Sequence, residues 1–161
     1  MKKWIAWSSL WLLTVVVIFI FSNQPGELSS QSSGWVMKQI VGILRFFFPA
    51  LEGSAQLESK IRVLAHASIY TLLGAISVMV VYSFCQWREK ALSVMTLGSI
   101  SWGMTLMISL ADEYNQLSVA GRDGSWGDVI VDMLGATLVV LVVCGSSKEV
   151  LKALRGSGQK V

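Results

Sequence analysis

Hydrophobic positions along the chain gather into four long runs separated by polar segments. Residues 4–21 and 91–111 contain no charged side chain, 129–145 contains only Asp132, and 64–84 has His66 as its only ionisable group besides Tyr70 and Tyr82. Each run approaches the ~20 apolar residues that cross a bilayer core. The pattern predicts an all-α integral membrane bundle of four transmembrane helices, at about 4–22, 64–84, 91–111 and 127–145, forming a single membrane domain over 1–161. Composition agrees: 53% of residues are hydrophobic and 14% charged, against roughly 25% charged in soluble domains. The first run is expected to be a retained anchor. Its ~18 apolar residues are long for a signal peptide, and "FSNQPG" offers no small-x-small cleavage site.

The connection between the first two spans adds one more element. It opens with "SNQPGELSSQSS", which reads as a turn-rich exit from the membrane. In the following "GWVMKQIVGILRFFFPAL", Trp35, Val36, Ile40, Ile43, Leu44 and Phe47 recur at helical spacing while Lys38, Gln39 and Arg45 lie off the stripe. Pro49 ends such a helix near Phe47. About 14 residues is too short to span a bilayer. The expectation is therefore an amphipathic interfacial helix over about 35–48, with Trp35 and the phenylalanines at 46–48 inserted into lipid. A helix packed on the ends of the bundle is the alternative, since it needs the same apolar face. The short "CQWREK" loop makes the second and third spans antiparallel neighbours.

Charge then orients the bundle. On the side of the two termini lie Lys2, Lys3, Arg88, Lys90, Lys148, Lys152, Arg155 and Lys160; on the other lie Lys38, Arg45, Lys60, Arg62 and Arg122. The positive-inside bias predicts that both termini are cytoplasmic. Of the acidic residues only Glu89 and Glu149 then fall inside. The net charge of +3 is thus a product of topology. No nucleic-acid motif accompanies it, and the basic C-terminal tail faces anionic lipid headgroups. Cys85 and Cys144 fall at predicted cytoplasmic helix ends, where thiols stay reduced.

The candidate chemistry sits at the opposite, outer level. Arg62, His66 and Tyr70 fall at i, i+4 and i+8 on one ridge of the second span. Ionisable groups at that depth are costly and normally face protein or a water-filled cleft. At the end of the third span Asp112, Glu113 and Gln116 share a face, although a helix C-terminus disfavours carboxylates. Arg122 or Arg62 is the expected compensating charge, and a solvated helix end is the plainer alternative. In "GRDGSWGDVIVDMLG", Ser125 and Asp128 have capping-box spacing and start the fourth helix at Trp126. Asp128 is thereby explained; Asp132, one turn deeper, is not. Two carboxylates about 6 Å apart repel unless a cation, an arginine, a histidine or a proton intervenes. The Asp128 and Asp132 pair could also ligate a divalent cation through oxygen, and the pattern names no other cofactor. Gly135 lets a neighbouring helix approach behind the pair.

"FSNQPG", "RVLAHASIYTLLG" and "DEYNQLSVAGRDGSWGDVIVDMLG", in this order on four apolar runs, resemble the VanZ-like family of small membrane proteins, named for a glycopeptide-resistance accessory protein. Where that family often carries a basic residue three before the histidine and an acidic one just before the tyrosine, this chain has Val63 and Ile69. The resemblance implies a place in the bacterial plasma membrane, a link to the cell envelope and lowered susceptibility to teicoplanin. It brings no reaction with it. Two uses of an outer-leaflet polar cleft follow. One is binding of an envelope lipid or lipid-linked precursor headgroup by Arg62, Tyr70, Gln116, Arg122 and Gln24. The other is an intramembrane hydrolase or transferase with His66, Glu113 and Asp132 as acid/base groups and Asp128 and Asp132 holding the cation. A purely structural role would make these residues matter only for folding.

Overall fold

The protein is described here by a computed structural model that covers residues 1–44, 46 and 55–145. The described residues form five helices and no strand: α1 Lys2–Ser22, α2 Gly26–Leu44, α3 Ala55–Trp87, α4 Val94–Gln116 and α5 Trp126–Gly145. Four of them, α1, α3, α4 and α5, are long and apolar enough to cross a membrane, in agreement with the four hydrophobic runs. Two of the four reach beyond the expected limits. The crossing part of α3 covers Lys60–Trp87, and α4 runs through Gln116, so both polar segments at this end are helical.

The longest helix, α3, packs against all four others, and α4 and α5 pack on each other beside it. Ile18 of α1 meets Tyr70 and Leu73 of α3, Val78 and Val81 of α3 meet Leu97 of α4, and Val129, Met133 and Ala136 of α5 pack under Trp102 and Leu106 of α4. Backbones come close where side chains are small: a Cβ on Gly74 would lie 3.4 Å from the Cα of Ala136. Indole N–H groups inside the bundle find acceptors across helices, Trp11 donating to Ser77 Oγ at 2.9 Å and Trp102 to Thr137 Oγ1 at 3.0 Å. Lipid offers no substitute partner, which explains the pairing. Ile130, Leu134, Leu138 and Leu141 of α5 stay exposed on one helical stripe, as a lipid-facing surface requires.

An aromatic cluster marks the end where α1 starts and α3 finishes. Trp4 stacks on Trp87 at 4.9 Å, Phe84 packs against both, and Arg88 lies over the Trp87 ring. Tryptophans at this level suit a membrane interface. The tight link to α4 follows directly: Glu89 takes a left-handed φ of 53°, Lys90 N–H donates to Cys85 O, and Ser93 Oγ caps α4 by accepting from Thr96 N–H. Cys85 is a free thiol, and the Cys144 side chain lies outside the described structure.

One boundary corrects the sequence reading. The Ser-rich stretch expected to be an irregular exit is helical from Gly26, nine residues before Trp35, and only 23–25 form the turn. Pro25 suits the helix start because it has no N–H to leave unsatisfied, its carbonyl accepts from Ser29 N–H, and Glu27 in the first turn meets the positive helix end. The serines do not break the helix because their hydroxyls find partners, Ser32 Oγ donating to Leu28 O at 2.9 Å. Val41 of α2 is buried, whereas Trp35 and Ile43 point away from the bundle at 64% and 68% exposure, an apolar strip suited to an interface. Phe46 is exposed in the turn that follows; Arg45, Phe47, Phe48 and Pro49 lie outside the described residues, as does the basic tail.

Candidate functional site

The predicted ridge exists, and each member meets a different neighbour. Arg62 reaches Ser30 Oγ of α2 at 3.5 Å, His66 Nδ1 lies 3.5 Å from Asp132 Oδ1 of α5, and Tyr70 OH donates to Asp112 Oδ2 of α4 at 3.0 Å. Tyr70, Asp112 and Asp132 are all essentially excluded from solvent. Glu113 and Gln116 are buried too, which removes the solvated-end alternative for the last turn of α4.

The carboxylates at that unfavourable helix end are compensated, but not by a direct ion pair with arginine. Gln116 serves as the intermediary. Its Nε2 donates to Glu113 Oε1 at 3.2 Å and to Asp112 Oδ2 at 3.4 Å, while its Oε1 accepts from Arg122 Nη1 at 3.5 Å. Arg122 spends its other donors on the end of α1 and the turn after it, with Nη2 to Phe21 O at 3.0 Å and Nε to Gln24 O at 3.2 Å. Burial pushes the Arg122 guanidinium down from its ordinary value, and the positive charge of Arg62 adds to that, against the opposing pull of the nearby carboxylates. It still carries its charge, because an arginine side chain is not deprotonated in proteins.

These bonds draw the α1–α2 turn onto the α4–α5 loop. Asn115 Nδ2 donates to Asn23 Oδ1 at 3.1 Å, and Gly26 N–H donates to Ala120 O at 3.0 Å. A Cβ on Gly26 would overlap the carbonyl of Gly121, itself at φ 73°, so both glycines are needed for this approach. At the start of α5, Ser125 Oγ accepts from Gly127 N–H at 3.1 Å, as an N-cap should, and Glu113 Oε2 accepts from Ser125 N–H at 2.7 Å. Glu113 thereby sets the position of α5 on α4.

Asp132 is placed deeper by two features. Ser109 Oγ donates to its Oδ2 at 2.8 Å, and Gly135 lets α5 sit against α3 so closely that a Cβ there would overlap Thr71 Oγ1 and lie 2.6 Å from Ala67 O. The close approach expected of Gly135 is therefore real. Asp128 is not in the resulting cluster: the acidic and histidine groups that gather are His66, Glu113 and Asp132, with one ligand atom from each within 4.8 Å of the others.

A cavity of about 330 Å³ opens between α1, α2 and α3, with the end of α4 at its base. Val17, Ile18, Phe21, Val36, Ile61 and Ile69 give it apolar walls. Gln24, Arg62, His66, Tyr70, Gln116 and Arg122 all line it, as do Asp112, Ser29 and Ser32. All five residues expected to bind a headgroup therefore face one space, together with one of the three acid/base candidates. Glu113 and Asp132 lie behind it, off the cavity lining.

Two contributors went unnoticed in the sequence. Ser109 ends a buried ridge of small hydroxyl residues, Ser101, Thr105 and Ser109, that runs on α4 at i, i+4 and i+8 towards Asp112, Glu113 and Gln116. That spacing was a readable signal. The serines of α2 that face the cavity carried none, since Ser-rich segments more often mark turns.

Comparison with curated proteins and with solved structures gives no match. The family model described as VanZ/LLP1 matches residues 7–147, from the first turns of α1 to just past the end of α5. That span takes in the whole polar cluster and its cavity. With four helices able to cross a membrane, the chain is a multi-pass membrane protein that belongs to the VanZ/LLP1 family.

Proposed function

We propose that the protein lies in the bacterial plasma membrane with both termini cytoplasmic, and that its α2 end faces outward and binds the headgroup of an envelope lipid or lipid-linked precursor, thereby lowering susceptibility to teicoplanin. The observation that carries this reading is the mixed lining of the cavity, apolar along Val17, Ile18 and Phe21 of α1 and Ile61 and Ile69 of α3 and furnished with Arg62, Arg122, His66 and Tyr70. A phosphate-bearing headgroup would take charge-assisted hydrogen bonds from the guanidinium groups while its first methylenes rest on the apolar wall. The cavity is at the small end of the roughly 300–1,000 Å³ range of ligand pockets. It suits a headgroup and not an intact glycopeptide, so protection would work through the membrane lipid.

The test uses the purified full chain in mixed micelles, with retained phospholipid measured by mass spectrometry. Phosphatidylglycerol is expected to be retained over phosphatidylcholine, and Arg62→Gln to weaken that retention about tenfold, the loss of one charge-assisted hydrogen bond. Equal retention of both lipids, or no change in the variant, contradicts the reading.

A second reading is favoured by one observation, the imidazole of His66 facing the fully buried Asp132 through Nδ1. A carboxylate that orients an imidazole is the arrangement of a general base, with Glu113 as the further acid/base group. The reaction would be hydrolysis of, or transfer from, the headgroup bound in the same cavity. Release of a labelled headgroup from phosphatidylglycerol by the purified protein separates this reading from binding alone.

A further inference from the structure

We propose that His66, Glu113 and Asp132 form a site for one divalent transition-metal ion of the zinc class, held between α3, α4 and α5. Its occupancy does not depend on whether a lipid headgroup binds the cavity in front of it. Three protein donors, one imidazole nitrogen and two carboxylates, would leave a tetrahedral ion one open position. Such N and O donors suit zinc and its first-row neighbours better than magnesium or calcium, which prefer oxygen alone.

The geometry carries the argument. His66 Nδ1 and Asp132 Oδ1 are both buried and face each other at 3.5 Å, within ion-pair distance but with no hydrogen bond to either atom. A buried pair held only by a long ion contact leaves both atoms short of a hydrogen bond, which is costly in a protein interior and more so at membrane depth. That separation matches the edge of a tetrahedral shell, roughly 3.4 Å for bonds of about 2.1 Å. One oxygen of Glu113 completes a triangle in which no side exceeds 4.8 Å.

The surrounding bonds are those a metal site needs. Ser109 holds Asp132 Oδ2, which leaves Oδ1 directed at His66. Glu113 is held at both oxygens, by Ser125 N–H and by Gln116 Nε2, and each oxygen keeps a further lone pair. Outer hydrogen bonds of this kind fix ligand orientation. Charge agrees as well. Asp112, Glu113 and Asp132 gather three carboxylates; Arg122 reaches Asp112 and Glu113 through Gln116, and Asp132 is held by Ser109 instead. A divalent ion supplies the missing positive charge where the carboxylates converge.

The experiment strips the purified full chain with EDTA in micelles and titrates it with Co2+, read by visible d–d absorption, with Zn2+ as competitor. A single saturable Co2+ site displaced by Zn2+ is expected, lost in Asp132→Asn and in Glu113→Gln and kept in Asp128→Asn. Ser109→Ala, which frees the second oxygen of Asp132, should weaken affinity roughly 10–100-fold. If a ligand variant does not fold, the wild-type spectrum and the Ser109→Ala shift still decide. Folded wild-type protein that takes up no Co2+, binding that survives both ligand variants, or loss in Asp128→Asn overturns the assignment.

Discussion

His66→Ala is expected to destabilise the bundle by about 3 kcal/mol, the scale on which removal of one partner from a buried charged pair is felt. Asp132 is 0% exposed, and its Oδ1 has His66 Nδ1 at 3.5 Å as the nearest compensating group, with its other oxygen already committed to Ser109. Without the imidazole the carboxylate keeps the cost of burial and loses what offset it. Removing both groups should therefore cost less than the sum of the single changes, because the double variant His66→Ala Asp132→Ala leaves no unmatched charge. The measurement is denaturant unfolding in EDTA-treated micelles, followed by fluorescence of the seven tryptophans. Strict additivity would show that the two side chains do not interact, and both the metal and the base readings would lose their geometry.

Gly135→Ala is the second large effect. The added methyl would overlap Thr71 Oγ1 and lie 2.6 Å from the carbonyl of Ala67, and the latter is backbone that cannot turn aside. α5 must then move off α3, at roughly 1–3 kcal/mol for such overpacking. The movement also carries Asp132, one turn earlier on the same helix, away from His66. Two glycines serve as controls. A Cβ on Gly74 would make ordinary contact with Ala136, so Gly74→Ala should be mild. On Gly103 it would meet nothing within 4 Å, so Gly103→Ala should be neutral or stabilise α4 by up to about 1 kcal/mol, the helix propensity gained. Unfolding midpoints in the order Gly135→Ala lowest, then Gly74→Ala, then Gly103→Ala are expected. Equal midpoints would mean that α3 and α5 are not in close contact.

Much of the architecture was legible because its physical causes are local. An uninterrupted apolar run long enough to cross a bilayer has few alternatives, and i, i+4 spacing put Arg62, His66 and Tyr70 on one ridge without knowledge of the neighbours. The interfacial element was legible as an apolar stripe but not in its start, since "GELSSQSS" has turn-like composition and its helix rests on hydroxyl-to-backbone bonds and on the contact of Gly26 with the α4–α5 loop. Partner choice was the part that local pattern could not supply. Asp128 and Asp132 are one turn apart on the same helix and looked like a pair. The bundle sends Asp132 to His66 and Ser109 on two other helices, because Gly135 sets the depth at which α5 meets α3. Arg122 likewise looked like a partner for the carboxylates, and its donors go mainly to carbonyls of the last turn of α1 and of the turn that follows.

The central claim, that the polar end of the bundle acts on the envelope, is tested most directly by antibiotic susceptibility. A sensitive host would express the wild type, Arg62→Gln or Asp132→Asn, with membrane levels of each protein quantified alongside. The account predicts that the wild type raises tolerance to teicoplanin and leaves vancomycin unchanged, and that both variants lose this protection while present at wild-type levels. Absence of teicoplanin protection by the wild type, or full protection by both well-expressed variants, would contradict it.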